Sequence, residues 1–151
     1  MKNIVVAFDH RGASLAKSIA EFLVKNGYNV CMGTSKVGDD YIDNAIPALQ
    51  GVGGEFDYAI LICGTGVGMA IVANRFDGIF AVHAKTPAEA HFARCHENAN
   101  VLVLGAGYSD EKFSISMSET KAKSILKAFL SSEFEGGRHS RRIQKVEKIN
   151  K

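Results

Sequence analysis

The chain has 151 residues, 46% of them hydrophobic and 23% charged, and its net charge is +2. These values predict one globular domain, residues 1–151, with a buried core, and they exclude a disordered or fibrous protein. The net charge is too small to indicate a nucleic-acid or membrane partner by itself, and no apolar run is long enough to span a bilayer. We therefore expect neither nucleic-acid nor membrane binding.

The 3 cysteines show no Cys-x-x-Cys spacing, and an odd number argues against a disulfide framework. Cys31 lies in an apolar strand and Cys95 at a helix end, where both are predicted to be packing residues. Met1 to Asn3 lead directly into a strand-like run, which leaves no room for a signal peptide. These features predict a cytoplasmic protein.

Strand-like and helix-like segments alternate along the whole chain. In order, the predicted elements are strand 3–8, helix 14–26, strand 29–32, loop 33–43, helix 46–52, strand 58–62, helix 66–75, strand 79–82, a helix opening at Pro87, strand 101–104, helix 119–130 and helix 138–151. Repeated βα alternation with short links predicts an α/β fold, in which helices cover both faces of a five-stranded parallel sheet.

The last predicted helix, 138–151, is charged and has only a thin apolar stripe. Ile143, Val146 and Ile149 are spaced at i, i+3 and i+6, which places them on one narrow face. Such a helix packs either across a partner subunit or on its own domain, and the pattern leaves both arrangements open.

Cys63 stands between the apolar run Tyr58 to Ile62 and the glycine loop Gly64 to Gly68. The carboxyl end of a parallel strand is where open α/β sheets bind ligands, and N–H groups at a helix start stabilise negative charge there. A thiol in that field serves as nucleophile or base, and the glycines are expected to leave it uncovered. The alternative is a buried structural cysteine.

Other polar residues lie where they can join Cys63. Asp9-His10 ends the first strand, so it is expected at the same edge of the sheet, where a histidine beside a carboxylate suits phosphate binding or proton transfer. Arg138 and Arg142 share one helix face and suit a phosphate dianion. His96 can face this edge or cap a helix C-terminus. No histidine and cysteine pair has ligand spacing, so no metal site is predicted.

Three related motifs are excluded by residue identity. A phosphate-loop NTPase requires a lysine after the glycines, and none is present. A cysteine phosphatase loop requires an arginine at the position of Met69, and the Gly-x-Gly-x-x-Gly spacing of dinucleotide-binding proteins is also absent.

The motifs taken together resemble the ribose-5-phosphate isomerase B family, which includes the galactose-6-phosphate isomerase subunits. The resemblance rests on Ile62 to Gly68 followed by Ala73-Asn74, on Asp9-His10 and on the run Gly136-Gly137-Arg138-His139. It covers essentially the whole chain in order. It implies a Rossmann-like three-layer sandwich and a homodimer whose helix 138–151 crosses to the partner, with a tetramer as the alternative.

The resemblance further implies that an aldose phosphate and its ketose are interconverted without cofactor or metal, as in the pentose phosphate pathway. Cys63 would move a proton between C2 and C1, the backbone of Gly64 to Gly68 would hold the enediolate, and Thr65 with His96 of the partner subunit would assist ring opening. The implied substrate-binding residues are Asp9, His10, Tyr41, Gly64, Gly66, Gly68, Glu97, Asn98, Arg138 and Arg142. Of these, His10, Arg138 and Arg142 would hold the phosphate.

Three positions depart from the family pattern. Ile42 replaces a proline after Tyr41, and Glu97 replaces the asparagine that follows the ring-opening histidine. A carboxylate there repels an enediolate unless it is protonated or turned away. The family commonly has an arginine after the fifth strand, where this chain has Gly105-Ala106-Gly107-Tyr108.

These departures lead to a hypothesis about the substrate. With fewer charges on the phosphate, or a shifted sugar, the substrate would be a tetrose or hexose phosphate rather than ribose 5-phosphate. Two alternatives to an isomerase stay open: a non-catalytic sugar-phosphate-binding module on the same fold, and an enzyme that uses Cys63 as a nucleophile.

Overall fold

Seven strands and six helices make up the described residues, 1–149, of the computed structural model. The strands are β1 (Asn3–Phe8), β2 (Asn29–Met32), β3 (Tyr58–Cys63), β4 (Ala81–His83), β5 (Val101–Gly105), β6 (Gly107–Ser109) and β7 (Ser114–Ser116). The helices are α1 (Ala13–Lys25), α2 (Tyr41–Gly51), α3 (Val67–Ala73), α4 (Pro87–Glu97), α5 (Glu119–Ser131) and α6 (Arg138–Glu147).

Strands β1 to β5 form a parallel sheet in the order β2-β1-β3-β5-β4. Alternate side chains of the central strands enter two apolar cores, because successive residues of a strand point to opposite faces. One core packs Ile60 and Ile62 against α1, α4 and α5, and the other packs Leu61 and Cys63 against α2 and α3. The predicted five-stranded α/β fold with helices on both faces is confirmed.

All five strands of the sheet end at the same edge, which we call the carboxyl edge, and begin at the amino edge. Each helix between parallel strands must run back from the carboxyl edge to the amino edge. Helix α4 illustrates this return. It starts at the carboxyl edge with a capping box between Thr86 and Glu89, and it ends near the amino edge at Asn98, whose φ of +50° terminates the helix.

A hairpin of β6 and β7 follows β5 directly and is absent from the predicted elements. The Asp110 carboxylate accepts two backbone hydrogen bonds that close its turn. At its base, the N–H of Ala106 donates to the carbonyl of Cys63 over 2.8 Å, and the N–H of Gly107 donates to the carbonyl of Gly64 over 2.9 Å. The hairpin is therefore attached to the loop that follows β3.

Helix α2 begins inside the predicted loop 33–43 rather than at residue 46. The Asp40 side chain accepts a hydrogen bond from the N–H of Ile42 over 3.2 Å, so it caps the helix. The helix then continues through Pro47. Tyr41 is thereby placed in the first turn of a helix and not in a loop.

The apolar stripe of α6 is only partly buried. Ile143 packs on its own protomer, whereas Val146 and Ile149 stay 47% and 61% exposed. Helix α6 also ends before the limit of the predicted helix 138–151, whose residues 150 and 151 lie outside the described part of the chain.

The predictions for the two other cysteines have opposite outcomes. Cys95 is buried in α4 as predicted. Cys31 is exposed, so its prediction as a packing residue is wrong. The reason is that β2 is an edge strand, paired only with β1, and most of its residues face solvent.

Within residues 1–149, every helix is either too short or too polar to traverse a lipid bilayer.

Candidate active site

The loop from β3 to α3 surrounds the sulfur of Cys63 with backbone. The N–H of Gly66 donates a hydrogen bond to Cys63 Sγ over 3.2 Å. Gly66 has a φ of +80°, a conformation that favours glycine. The N–H of Val67 donates to Thr65 Oγ1 over 3.2 Å, which fixes the Thr65 side chain at the start of α3. The predicted junction of strand, glycine loop and helix is confirmed.

Cys63 is only 4% exposed in the single protomer, so the prediction of an uncovered thiol is wrong. Its side chain points to the face of the sheet that α2 and α3 cover, where it packs in one core with Met69 and Tyr41. The glycines shape the backbone next to the sulfur but do not expose it.

Tyr41 lies directly over Gly68. A Cβ atom at residue 68 would come within 2.5 Å of the Tyr41 ring and 2.7 Å of its hydroxyl oxygen. Only glycine leaves room for the phenol at this point. The structure thus brings two of the residues predicted to bind substrate into contact on the α2 side of the loop.

Asp9 and His10 form the turn after β1. The buried Asp9 accepts hydrogen bonds at Oδ1 from the N–H groups of Arg11 and Gly12, each over 3.0 Å. The N–H of Asp9 donates to the carbonyl of Ile62 over 3.1 Å, which ties this turn to the end of β3. The Asp9 carboxylate thus orders the turn, and the exposed His10 is presented at the carboxyl edge.

His83, at the end of β4, lies against the loop at Gly66. A Cβ atom at Gly66 would be 2.5 Å from His83 Nε2. Burial lowers the pKa of His83 below its ordinary value of 6.5, and the nearby charge of Lys85 lowers it further. The imidazole is therefore neutral at pH 7.

A cavity of about 260 Å³ opens beside Thr65 at the carboxyl edge. No carboxylate is among its lining residues, which are Thr65, His83, Lys85, Gly105, Ser114, Ile115, Ser116, Met117 and Lys121. A larger cavity of about 510 Å³ lies at the other edge, between residues 74–80 and the end of α6. That cavity contains none of the predicted catalytic side chains.

His96 lies far from Cys63 in the same protomer. Its helix, α4, reaches the amino edge, where Arg94 Nη2 donates to the Tyr58 hydroxyl over 3.2 Å. Tyr58 begins β3 and Cys63 ends it, a separation of about 17 Å at the usual rise of a strand. Of the two arrangements left open for His96, the one at the edge of Cys63 is not found within one chain, and His96 lies instead at the C-terminal end of α4.

His96 stacks on His139 of α6. The ring centroids are 4.3 Å apart and the planes differ by 9°. Burial lowers the pKa of His139 below 6.5, and the charges of His96, Arg138 and Arg142 act in the same direction. The stack therefore joins α4 to α6 and places Arg138 and Arg142 on the His96 side of the protomer, where both are exposed.

Glu97 and Asn98 end α4 beside His96. Glu97 is exposed, whereas Asn98 Oδ1 accepts a hydrogen bond from Arg94 Nη1 over 3.2 Å. Arg94 is buried and also donates to the carbonyl of Ala99 over 2.6 Å. The side chain of Asn98 thus helps to satisfy a buried arginine, in addition to any contact with substrate.

The predicted site residues therefore form two groups at opposite edges of the protomer. The carboxyl-edge group contains Asp9, His10, Tyr41, Cys63, Gly64, Thr65, Gly66 and Gly68. The amino-edge group contains His96, Glu97, Asn98, Arg138 and Arg142. The single chain that the structure describes does not bring the two groups together.

Potential ligand atoms of His96, Glu135 and His139 lie within 4.8 Å of one another. The two imidazoles are parallel and stacked, so their lone pairs lie in parallel planes. A metal ion needs lone pairs that converge at about 2.0–2.1 Å on one point. This geometry suits a stacked pair with a carboxylate neighbour and not a metal ion.

Sequence reasoning missed three residues next to the loop: Arg11, His83 and Tyr108. The Arg11 guanidinium lies 4.8 Å from the ring centroid of Tyr108. Arg11 follows His10 directly, and this adjacency was a usable signal. His83 and Tyr108 had no such signal, because their positions depend on how β4 and the hairpin pack on the loop.

A family model described as Ribose/Galactose Isomerase matches residues 4–146. Ribose-5-phosphate isomerase B of Escherichia coli (strain K12) is 40% identical over 152 residues, which span 99% of this chain and 97% of the relative.

Solved structures agree with this match. The ribose 5-phosphate isomerase of Thermotoga maritima superposes with a TM-score of 0.87 at 38% identity, covering 98% of this chain and 99% of that chain. Ribose-5-phosphate isomerase B of Mycoplasma genitalium with bound ribulose 5-phosphate gives a TM-score of 0.85 at 38% identity, covering 97% of this chain and 94% of that chain.

Proposed function

Because the chain belongs to the ribose/galactose isomerase family, we propose that it is an aldose–ketose isomerase whose substrate pair is ribose 5-phosphate and ribulose 5-phosphate. One observation carries the proposal. The sulfur of Cys63 lies at the end of the central strand and accepts a backbone hydrogen bond from the glycine loop. An anionic sulfur accepts a stronger hydrogen bond than a neutral one, so this contact suits a thiolate base.

The proposed reaction begins with the open-chain aldose. The Cys63 thiolate takes the proton from C2, the electron pair forms the C1–C2 double bond, and the carbonyl oxygen at C1 becomes an oxyanion. Loop N–H groups stabilise this enediolate. The proton of the C2 hydroxyl then passes to the C1 oxyanion as the C2 carbonyl forms. The thiol returns its proton to C1, which gives the ketose and regenerates the thiolate. The reaction needs no redox partner.

We infer that His96, Arg138 and Arg142 of the partner subunit complete each site. Two observations support a homodimer. The carboxyl-edge and amino-edge groups lie at opposite edges of one chain, and Val146 of α6 and Ile149, which follows α6, are exposed beside the larger cavity. In this arrangement Thr65 and the partner's His96 assist ring opening, and the two arginines bind the phosphate.

Subunit mixing tests the shared site. Cys63→Ala and His96→Ala are each expected to be inactive, but dimers formed from both variants contain one intact site. Random mixing after denaturation and refolding should then restore about a quarter of wild-type activity, because half of the dimers are mixed and each has one of two sites intact. The absence of any recovery, with mixed dimers verified by mass spectrometry, would refute the shared site.

Turnover in deuterium oxide tests the chemistry. Ribose 5-phosphate should acquire solvent deuterium at C2 and ribulose 5-phosphate at C1. A protein that binds both sugars without exchange would instead be a sugar-phosphate-binding module, and a stable covalent adduct at Cys63 would indicate a nucleophile. Assays with tetrose, pentose and hexose phosphates in parallel decide whether the departures at Glu97 and after β5 change the sugar.

We also place the reaction in the cytoplasm. The three cysteines are free thiols in the described part of the chain, and a thiolate base functions only while it is reduced.

The oligomeric state has its own test. Sedimentation of the purified protein distinguishes the proposed dimer from a tetramer.

A further inference from the structure

Arg11 lies against the glycine loop of its own protomer. Its aliphatic part crosses Gly64, where a Cβ atom would be 2.9 Å from Arg11 Cδ. The backbone of Arg11 is fixed as well, because its N–H donates to the buried Asp9 carboxylate over 3.0 Å. The residue thus begins at the turn that carries His10 and extends toward the loop that carries Cys63.

The guanidinium of Arg11 is held by an aromatic ring. Its central carbon lies 4.8 Å from the centroid of Tyr108, within the range of a cation–π contact. The backbone of Tyr108 is held in place, since it pairs with Ile115 in the hairpin and the N–H of the neighbouring Gly107 donates to the carbonyl of Gly64. The glycine loop and the aromatic platform are therefore one connected unit.

The charge of Arg11 has no acidic partner in residues 1–149, where the ion pairs are Lys2–Asp57, Lys123–Glu119 and His139–Glu135. A cation–π contact uses none of the five N–H donors of a guanidinium as hydrogen-bond donors to oxygen, so they can still bind an anion. A guanidinium that is already positioned by Tyr108 also loses less conformational entropy when it binds an anion.

We propose that Arg11, positioned by Tyr108, binds the phosphate group of the sugar phosphate from the same protomer as Cys63. The inference rests on the proposed function and extends it. The ligand class is a phosphate monoester dianion, and Arg11 and His10 form the phosphate contact of the carboxyl-edge group. Tyr108 is a positioning residue that acts through Arg11. This contact supplies a positive charge on the Cys63 side of the site.

Four single variants, one double variant and one control test the proposal. Arg11→Ala should raise KM for ribose 5-phosphate and the dissociation constant of inorganic phosphate by about tenfold or more, as expected for the loss of a charge-assisted hydrogen bond. Its kcat should stay within about threefold, because the contact is the same in ground and transition states. Arg11→Lys should show an intermediate defect, since it keeps the charge without the fork.

Tyr108 provides a matched pair. Tyr108→Phe keeps the aromatic ring and should behave as wild type. Tyr108→Leu should raise KM for ribose 5-phosphate, because Arg11 loses the ring that positions it. Adding Tyr108→Leu to Arg11→Ala should then raise KM no further, because the two residues act as one unit. The control Lys25→Ala removes one positive charge from an exposed position at the far end of α1. It should leave KM for ribose 5-phosphate and the dissociation constant of inorganic phosphate unchanged.

The outcomes separate this inference from the proposed function. If wild type isomerises the sugar but Arg11→Ala binds sugar phosphate and inorganic phosphate normally, or loses only kcat, the role of Arg11 is refuted. If wild type does not isomerise any sugar phosphate, the proposed function fails, and calorimetry with inorganic phosphate still decides whether Arg11 binds the anion.

Discussion

The imidazole of His83 lies against Gly66, so that a methyl group at residue 66 would come within 2.5 Å of Nε2. Gly66→Ala should therefore destabilise the protein for two reasons, its φ of +80° and this collision. We expect a loss of about 2–4 kcal/mol in the free energy of unfolding. The variant should also lose activity, because the Gly66 N–H is the one that donates to Cys63.

Gly53 offers the matched control for that experiment. Its φ is +86°, but nothing lies within 4 Å of a Cβ atom there. Gly53→Ala should cost only about 1 kcal/mol, the price of the backbone conformation. The double variant Gly66→Ala/His83→Ala should regain the part of the unfolding free energy that is lost to the clash between the new methyl group and the His83 ring. Denaturant unfolding measures all four proteins, and equal losses for Gly66→Ala and Gly53→Ala would contradict the contact.

Cys63→Ala should lower kcat by about a thousandfold, as expected when a general base is removed. The dissociation constant of ribulose 5-phosphate should change little, since the sulfur is assigned to proton transfer. Cys95→Ala is the control, because Cys95 is also buried and leaves a cavity of the same size. Stopped assays and calorimetry give both constants. Retained turnover in Cys63→Ala would disprove the base assignment.

The cysteines should differ in reactivity toward alkylating reagents. Cys31 is exposed and Cys63 and Cys95 are buried, so iodoacetamide should modify Cys31 first. Early modification should leave activity intact, and inactivation should follow the slower labelling of Cys63. Peptide mass spectrometry at successive times measures the order. Rapid labelling of Cys63 with loss of activity before Cys31 reacts would conflict with its burial.

The stability of the protein should depend on His139 in mildly acidic solution. Its pKa in the folded protein lies below the ordinary 6.5, so the unfolded chain binds more protons as the pH falls below 6.5. The stabilising contribution of the neutral ring is therefore present above pH 6.5 and is lost on acidification through the folded pKa.

His139→Phe isolates that contribution. The variant keeps an aromatic ring beside His96 but cannot titrate, so its stability should fall less between pH 7 and pH 5 than that of wild type. His83 titrates in the same direction and remains in both proteins. Denaturant unfolding at several pH values gives the comparison. Parallel curves for the two proteins would exclude His139 as a source of the pH dependence.

The sequence predicted the sheet well because its central strands, β1, β3 and β5, are largely buried runs of apolar residues. The bounds of β1 and β2 match the predicted ranges, and β3 and β5 each extend by one residue. The hairpin of β6 and β7 was missed because it is exposed and has little apolar periodicity. The first turn of α2 was missed because its start depends on the cap by Asp40 and not on an apolar pattern.

The site was predictable only where neighbouring residues carry it. The glycine loop and Asp9-His10 each form a continuous motif at a strand end, so their shared edge followed from parallel topology. The burial of Cys63 depends on which face of β3 its side chain takes and on what α3 covers. The distance of His96 from that edge depends on the direction of α4, which the motif itself does not reveal.

The proposed dimer would assemble each catalytic centre from opposite edges of two subunits, and this arrangement has a consequence for duplicated genes. One copy can lose its thiol end and the other its histidine end, and each pair still forms a single working centre. Neither product then acts alone, and both must be made in step. Under the proposed arrangement, an obligate two-gene enzyme would arise from this fold by loss alone, without any new residue.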